Sequence, residues 1–165
     1  MNETENVGTA VSAEESMSSV AGKYLTFLLG DEVYGLEIIK VQEIIGMQSI
    51  TRIPNTPCHL KGVVNLRGKV IPVIDLRLRF GMESMEVSRK TCIIVVQVST
   101  GDTPVTMGIV VDEVSEVLEI SAGEIESAPS FDTNVETSFI LGMAKTEDAV
   151  RILLDIDKIM AETPR

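Results

Sequence analysis

The residues of this chain best suited to catalysis or metal binding are its single histidine and its two cysteines. His59 follows Cys58 directly, and adjacency in sequence does not by itself bring a thiol within reach of an imidazole. We therefore expect His59 to be a surface or half-buried residue of a turn. Metal sites need several histidine, cysteine or carboxylate ligands at suitable spacings. The sequence contains no EF-hand loop and no zinc pattern, so it predicts no metal and no cofactor.

A cluster of carboxylates offers a second possibility for catalysis. Asp112, Glu113, Glu116 and Glu119 lie close together in the chain, and their spacing along one predicted strand is typical of a solvated acidic face. A pair of glycosidase carboxylates distant from each other in sequence stays open as an alternative. Neither GxGxxG nor GxxxxGK[ST] occurs, so no phosphate-binding loop is predicted. We expect no enzymatic activity.

Composition and charge narrow the class of protein. With 165 residues, 44% of them hydrophobic and 4% aromatic, the chain can form one domain or two half-size barrels with a core of Val, Ile and Leu. The net charge of −11 argues against nucleic acid as a partner, because affinity for phosphates needs positive charge. The window 61–90 is an exception with seven basic and three acidic residues. It is either an ordinary solvated face or the polar rim of a protein contact.

The expected location is the cytoplasm, without membrane insertion. No apolar stretch approaches the roughly 20 residues that a membrane-spanning helix needs. Residues 1–22 contain no Lys or Arg, so they lack the basic region of a signal peptide. Cys58 and Cys92 have no CxxC spacing and lie in apolar surroundings, which indicates reduced, buried thiols.

Short strands separated by turns dominate the chain after residue 22. Alternation through Leu25, Phe27 and Leu29 predicts a hairpin with the following strand, and Pro72 predicts that its own strand is an edge strand or carries a bulge. About ten such strands at regular spacing are typical of an all-β barrel or sandwich. Helical turns are predicted for three segments, which are 37–45, 76–80 and 155–161.

The predicted organisation is a flexible tail over 1–22, a folded region over 23–160 and a short tail over 161–165. The break near residues 81–89 divides the folded region into roughly 23–85 and 86–160, with ends that can interleave.

Six segments in a fixed order carry a family resemblance, and their combination is more specific than any one of them. They are YGLEIIKVQEI (34–44), TRIPNTP (51–57), KGVVNLRG (61–68), VIPVIDLR (70–77), GIVVDEV (108–114) and ILLDI (152–156). Together they resemble the CheW chemotaxis coupling proteins over nearly all of the folded region. The resemblance implies two SH3-like five-stranded barrels packed around a shared apolar interior. It also implies an adaptor that joins chemoreceptors to a histidine kinase in receptor arrays.

The resemblance also implies where the two partners bind. The helical hairpin at the cytoplasmic tip of a receptor would enter a groove between the barrels, as helices do in apolar grooves. The receptor candidates are Val41 and Glu43 in the predicted helical turn, with Gly62 and Arg67 near the NLRG hairpin. Glu43 and Arg67 are expected to pair with each other. The regulatory domain of the kinase would contact the loop Ile53, Pro54, Asn55 and Thr56, whose isoleucine is stiffened by neighbouring prolines.

Structural roles remain open for the same residues. Val41 can be a core residue, Gly62 a turn glycine, and Arg67 an arginine that caps backbone carbonyls. At the level of function, the open alternatives are a CheV-like hybrid, for which the chain has no room for a receiver domain, and a coupling module of a sensory pathway other than motility.

Overall fold

The computed structural model describes residues 21–100, 103–126, 139–145 and 149–161. In these ranges the strands are β1 (Gly22–Leu29), β2 (Glu32–Glu37), β3 (Val41–Gly46), β4 (Leu60–Leu66), β5 (Lys69–Asp75), β6 (Cys92–Thr100), β7 (Thr103–Val111), β8 (Glu113–Ile120), β9 (Ile125–Glu126), β10 (Ile140–Lys145) and β11 (Val150–Leu154). The helical segments are the 3-10 turns Ile38–Lys40 and Ala122–Glu124, α1 (Leu76–Arg79) and α2 (Ile156–Ala161). The prediction of an all-β protein is confirmed.

The strands form two sheets. Sheet 1 has the order β8-β1-β2-β11-β10-β9, and sheet 2 has the order β3-β6-β7-β5-β4. Sheet 1 combines both ends of the chain, because β2 pairs in parallel with β11. The boundary near residues 85 and 86 therefore does not coincide with the division between the sheets. The predicted SH3-like architecture is confirmed, although sheet 1 contains a sixth strand, the two-residue β9.

A backbone contact joins the two edges of sheet 2. Thr51, which follows β3, exchanges two hydrogen bonds of 2.9 Å with Val63 on β4. Because β3 and β4 are the edge strands of sheet 2, this bridge closes the sheet into a barrel. Closure removes unpaired edges, which otherwise invite association with other strands.

The largest apolar core lies between the two sheets. Phe27 and Leu36 from sheet 1 contact the same cluster as Ile94 and Ile109 from sheet 2, and Ile159 of α2 completes it. A second cluster fills the inside of the sheet 2 barrel, with the members Val64, Ile71, Val73, Ile93, Val95 and Val110. Sheet 2 is thus buried on both faces. This explains why β6 is a continuous apolar run rather than an alternating strand.

The helix predicted for residues 37–45 is wrong beyond its first turn. Ile38–Lys40 is a 3-10 turn, but Val41–Gly46 is the strand β3, which pairs antiparallel with β6. The spacing of Ile38, Val41 and Ile45 suits a helix, yet these residues are β-branched and lose side-chain freedom there. Pairing with the buried β6 decides the outcome. The other two helical predictions are confirmed by α1 and α2.

Two smaller predictions are also corrected, and a third is confirmed in one of its two alternatives. The strand of Pro72 is not an edge strand, because β5 lies between β7 and β4. The predicted bulge is present in its pairing with β4, which shifts register between Leu60 and Gly62, and the β5–β7 pairing begins only at Val73, so the proline lies outside that ladder. Cys58 is exposed and Cys92 half-buried, so the two free thiols are not both in the core. The predicted tail reached residue 22, but β1 already begins at Gly22. Residues 1–20 and 162–165 lie outside the described residues.

Candidate functional site

An ion pair spans the seam of the sheet 2 barrel. Glu43 lies on β3 and Arg67 in the turn between β4 and β5, 24 positions further along the chain. Arg67 Nη1 donates to Glu43 Oε1 at 3.3 Å, and Nη2 makes a second, closer contact with Oε2. The expected pairing of these two residues is therefore present. It joins the two edges of the barrel, with the Arg67 side chain exposed and the Glu43 side chain half-buried.

The turn conformation presents Arg67 outward. Arg67 has a φ of 53° and Gly68 a φ of 88°, so two successive residues adopt the left-handed region. Asn65 stabilises the turn by accepting a hydrogen bond from Gly68 N at 2.7 Å through its Oδ1. Short Asn side chains commonly stabilise turns in this way. The arginine is thus fixed at its backbone while its side chain stays 69% exposed.

The ion pair keeps both partners charged near neutral pH. The hydrogen bond from Arg67 lowers the pKa of Glu43 below its ordinary value, and the same bond raises the pKa of Arg67. Because water and salt weaken exposed pairs, this pair contributes little to folding. It can exchange its contacts for those of a charged partner.

Val41 lies next to the seam on a different face of β3. Its cross-strand partner is Val96, and Ile44 lies opposite Ile94, so both side chains are on the face that turns toward sheet 1. Val41 is half-buried and packs against the core between the sheets, whereas Ile44 is 45% exposed. The substitution Val41→Lys would therefore disturb the fold as well as any contact.

The sequence patterns did not predict the exposure of two isoleucines, Ile39 and Ile44. Ile39 is 84% exposed, the highest value among the large apolar side chains that the structure describes as exposed, and Ile44 is 45% exposed. The predicted helix put Ile38, Val41 and Ile45 on one face and left both out. The strand alternation of Val41–Gly46 would have shown that Ile44 points away from Ile45.

Gly62 is not a turn glycine but a buried residue of β4. A Cβ at this position would lie 2.0 Å from the carbonyl oxygen of Thr51, and the φ of 147° is rare for other residues. Gly62 thus permits the close approach of Thr51 to Val63 that closes the barrel. Its influence on any binding surface acts through the backbone.

The loop of the kinase candidates is a compact turn between the Thr51 bridge and β4. Ile53 is 40% exposed, Pro54 and Asn55 are exposed, and Thr56 is half-buried. Thr56 Oγ1 donates to the carbonyl of Ile53 at 2.9 Å, and Asn55 takes a φ of 62°. All the candidate residues of both groups therefore belong to sheet 2 or its loops.

The residues considered for catalysis lie apart from one another or in structural pairs. His59 is half-buried in its turn, as predicted. The acidic face is confirmed for Glu116 and Glu119, which are exposed, but Asp112 is half-buried and pairs with Arg77 at 2.8 Å. Within the described ranges, no group of His, Cys, Asp and Glu side chains could hold a metal ion. In the same ranges, none of the helices has the length and apolar character needed to span a bilayer.

Comparisons with known proteins agree with the fold. The family profile of the CheW-like domain matches residues 23–163. The Chemotaxis protein CheW of Klebsiella aerogenes is 39% identical over 154 residues, which cover 93% of this chain and 90% of the relative. The Chemotaxis protein CheW of Rhizobium meliloti is 31% identical over 153 residues, covering 93% and 96%. The crystal structure of the scaffolding protein TtCheW from Thermoanaerobacter tengcongensis superimposes with a TM-score of 0.77 at 37% identity, covering 87% of this chain and 97% of that one.

Proposed function

Since the chain belongs to the CheW-like domain family, we propose that it is a non-catalytic adaptor that couples chemoreceptors to the chemotaxis histidine kinase. Its relatives carry the name of a chemotaxis protein or of a scaffolding protein. The proposed role of the molecule is to hold receptor and kinase in a fixed arrangement, so that the state of the receptor alters kinase activity. It would do so in the cytoplasm, within receptor arrays attached to the membrane through protein contacts.

The observation that carries the receptor assignment is the exposed ion pair between Glu43 and Arg67 across the seam of the barrel. The exposed Arg67 offers a charged contact to the helical hairpin of a receptor, and the exposed Ile44, on the other face of β3 from Glu43, offers an apolar one. Val41 supports this surface from the core side, and Gly62 supports it by allowing the seam to close. We propose that Glu43 and Arg67 contact the receptor directly.

The kinase assignment rests on the loop Ile53–Thr56. Its partly exposed isoleucine sits in a turn held by the hydrogen bond from Thr56 to Ile53. A rigid apolar side chain loses little conformational entropy on binding. We propose that this loop binds the regulatory domain of the kinase, at a site separate from the receptor contacts but on the same barrel.

Reconstitution tests the proposal. The protein is mixed with receptor cytoplasmic fragments and kinase, and kinase autophosphorylation is followed together with binding to each partner alone. We expect receptor-dependent stimulation with the unchanged protein. Arg67→Glu should weaken receptor binding more than tenfold, or about 1.4 kcal/mol, because it removes the cation and places two carboxylates together. Ile53→Asp should weaken only kinase binding.

The matched control is Lys145→Glu, which makes the same charge change on sheet 1, where Lys145 pairs with Glu126. It should leave both affinities unchanged. The double variant Glu43→Arg with Arg67→Glu restores the pair in reverse. If it restores receptor binding fully, the pair acts by holding the seam rather than by direct contact. Absence of stimulation in every combination would reject the adaptor function.

A further inference from the structure

The imidazole of His59 is held in an unusual environment for a titratable ring. His59 lies in the turn that leads from the loop Ile53–Thr56 into β4, where Leu60 N donates to the carbonyl of Pro57 at 3.1 Å. Its Nε2 is buried and has no hydrogen-bonding partner among the described residues. A buried polar atom without a partner is costly, and a charged one much more so. The site therefore accepts the neutral ring and disfavours the imidazolium.

The charged group that acts on the ring is itself a cation. Arg79 of α1 raises the cost of protonating His59. The guanidinium of Arg79 stacks over Phe139 at 4.8 Å and donates to the carbonyl of Ile159 on α2 at 3.4 Å. Because these contacts anchor the guanidinium to the core, it cannot simply move away from a second positive charge.

The carboxylate of Asp75, whose backbone is bonded to His59, is engaged elsewhere. Asp75 N donates to the carbonyl of His59 at 2.7 Å, but the side chain of Asp75 caps α1 by accepting from Arg77 N at 3.0 Å. Its other oxygen faces Lys61 Nζ at 4.0 Å. The turn is thus tied to β5 through its backbone. Its histidine gains no anionic partner from that connection.

We propose that His59 is an acid-sensitive latch: when its ring takes up a proton, the turn Pro57–Leu60 loosens and the loop Ile53–Thr56 loses its fixed conformation. The proton comes from solvent. Because Nε2 is buried without a partner, protonation favours conformations in which the half-buried ring turns Nε2 away from Arg79 and toward water. Since the turn and the loop are continuous, the loop follows. The consequence for the kinase rests on the proposed function; the latch itself does not.

The direction of the pH effect follows from the two states. Burial and Arg79 both lower the pKa of His59 below its ordinary value of 6.5, which applies to the unfolded chain. The stabilising contribution of the neutral His59 is therefore fully present above pH 6.5. It decreases as the pH falls from there toward the pKa of His59 in the folded protein. In that window the folding equilibrium constant changes by at most about tenfold per pH unit for one proton.

The chain allows a direct measurement, because His59 is its only histidine. The imidazole proton signals in a one-dimensional NMR titration of the whole protein belong to this residue alone. We expect a midpoint below 6.5, and amide hydrogen exchange in residues 53–60 that accelerates, after correction for intrinsic rates, as the pH falls through that midpoint. A midpoint at or above 6.5, or unchanged corrected exchange, would overturn the proposal.

Variants supply the second arm. His59→Phe keeps a planar ring and cannot ionise, so chemical unfolding between pH 7.5 and pH 5.5 should lose the part of its pH dependence that His59 causes. His59→Gln serves if the phenylalanine does not fit. Equal pH dependence in the variant and the unchanged protein contradicts the latch.

Binding of the kinase regulatory domain at pH 7.5 and pH 6.0 then tests the consequence. We expect the affinity of the protein without substitutions for the kinase domain to fall more at the lower pH than the affinity of either variant. If the kinase does not bind even at the higher pH, the proposed function fails, while titration and exchange still decide the latch.

Discussion

At position 62 the chain needs a residue without a Cβ, because the carbonyl of Thr51 occupies the space where one would be. The resemblance placed Gly62 among the receptor candidates, and the structure gives it a buried role in closing the barrel. Arg67 shows the reverse relation, since it is exposed and its side chain is free to meet a partner once it leaves Glu43. The same candidate group thus contains one residue that shapes the surface and one that forms it.

The first prediction concerns Gly62. Gly62→Ala should lower the free energy of unfolding by about 3 kcal/mol or more, since the obstacle is backbone and cannot rotate away. Urea denaturation measures this. The matched control is Gly46→Ala on β3, where a Cβ would meet nothing within 4 Å, and it should change the stability by less than about 0.5 kcal/mol. Receptor binding lost in Gly62→Ala without a loss of stability would contradict the structural role.

At the scale of elements, the junction of the two sheets depends on Arg77 and Asp112. Arg77 follows β5 of sheet 2, and Asp112 lies where the chain passes from β7 to β8 of sheet 1. Two hydrogen bonds of 2.8 Å join the side chains, and Asp112 also accepts from Gly30 N at 2.7 Å in the β1–β2 turn. Two of the motifs that define the resemblance, VIPVIDLR and GIVVDEV, meet in this contact.

The second prediction follows from the burial of this pair, whose side chains are 15% and 14% exposed. Arg77→Met should lower the free energy of unfolding by about 3 kcal/mol, because it leaves a half-buried carboxylate without its cation. The control is Lys90→Met: Lys90 and Glu113 form an exposed pair at 3.8 Å, so less than about 0.5 kcal/mol should be lost. Equal losses in the two variants would show that the junction does not depend on Arg77.

The same pair should shape the acid dependence of stability. Burial raises the pKa of Asp112, but the hydrogen bonds from Arg77 and Gly30 outweigh it and the net pKa is lowered below 3.8. Its stabilising contribution is therefore present above pH 3.8 and is lost as the pH falls toward the pKa of the folded state. In Arg77→Met the decline of stability over this range should be shallower. An identical acid slope in both proteins would exclude this contribution.

At the scale of the whole molecule, the shared core makes the two sheets interdependent. Strands from both ends of the chain build sheet 1, and α2 places Ile159 in the cluster that also holds Ile94 of sheet 2. Neither sheet can bury its inner face without the other. We therefore expect a single cooperative unfolding transition rather than one for each sheet.

This prediction can be measured with the natural probes of the chain. Tyr24 and Tyr34 are its two tyrosines, and both lie buried in sheet 1. Their fluorescence should change at the same denaturant concentration as hydrogen-exchange protection is lost in Ile93–Val96 of sheet 2. Ile159→Ala should lower the free energy of unfolding by about 2–5 kcal/mol. Both midpoints should move together to a lower denaturant concentration. Separate midpoints for the two sheets would show that they fold independently.

Much of this protein was decided locally and could be derived from the sequence. Alternating apolar residues and glycine turns predicted the hairpins β1–β2 and β4–β5, and a capping aspartate marks the start of each α-helix. These features depend on neighbours in the chain, so the sequence contains their causes. The motifs and their order also indicated the family without any information on the tertiary structure.

The rest depended on which distant segments meet. Only the tertiary structure showed that Val41–Gly46 is the strand β3 and not a helix. It also showed that Gly62 is needed because of the position of Thr51, and that Asp112 pairs with Arg77 and is not part of the acidic face. In each case a partner far along the chain supplies the deciding hydrogen bond, steric contact or charge. Local propensity is weak compared with such long-range pairing, so the sequence by itself could not rank these alternatives.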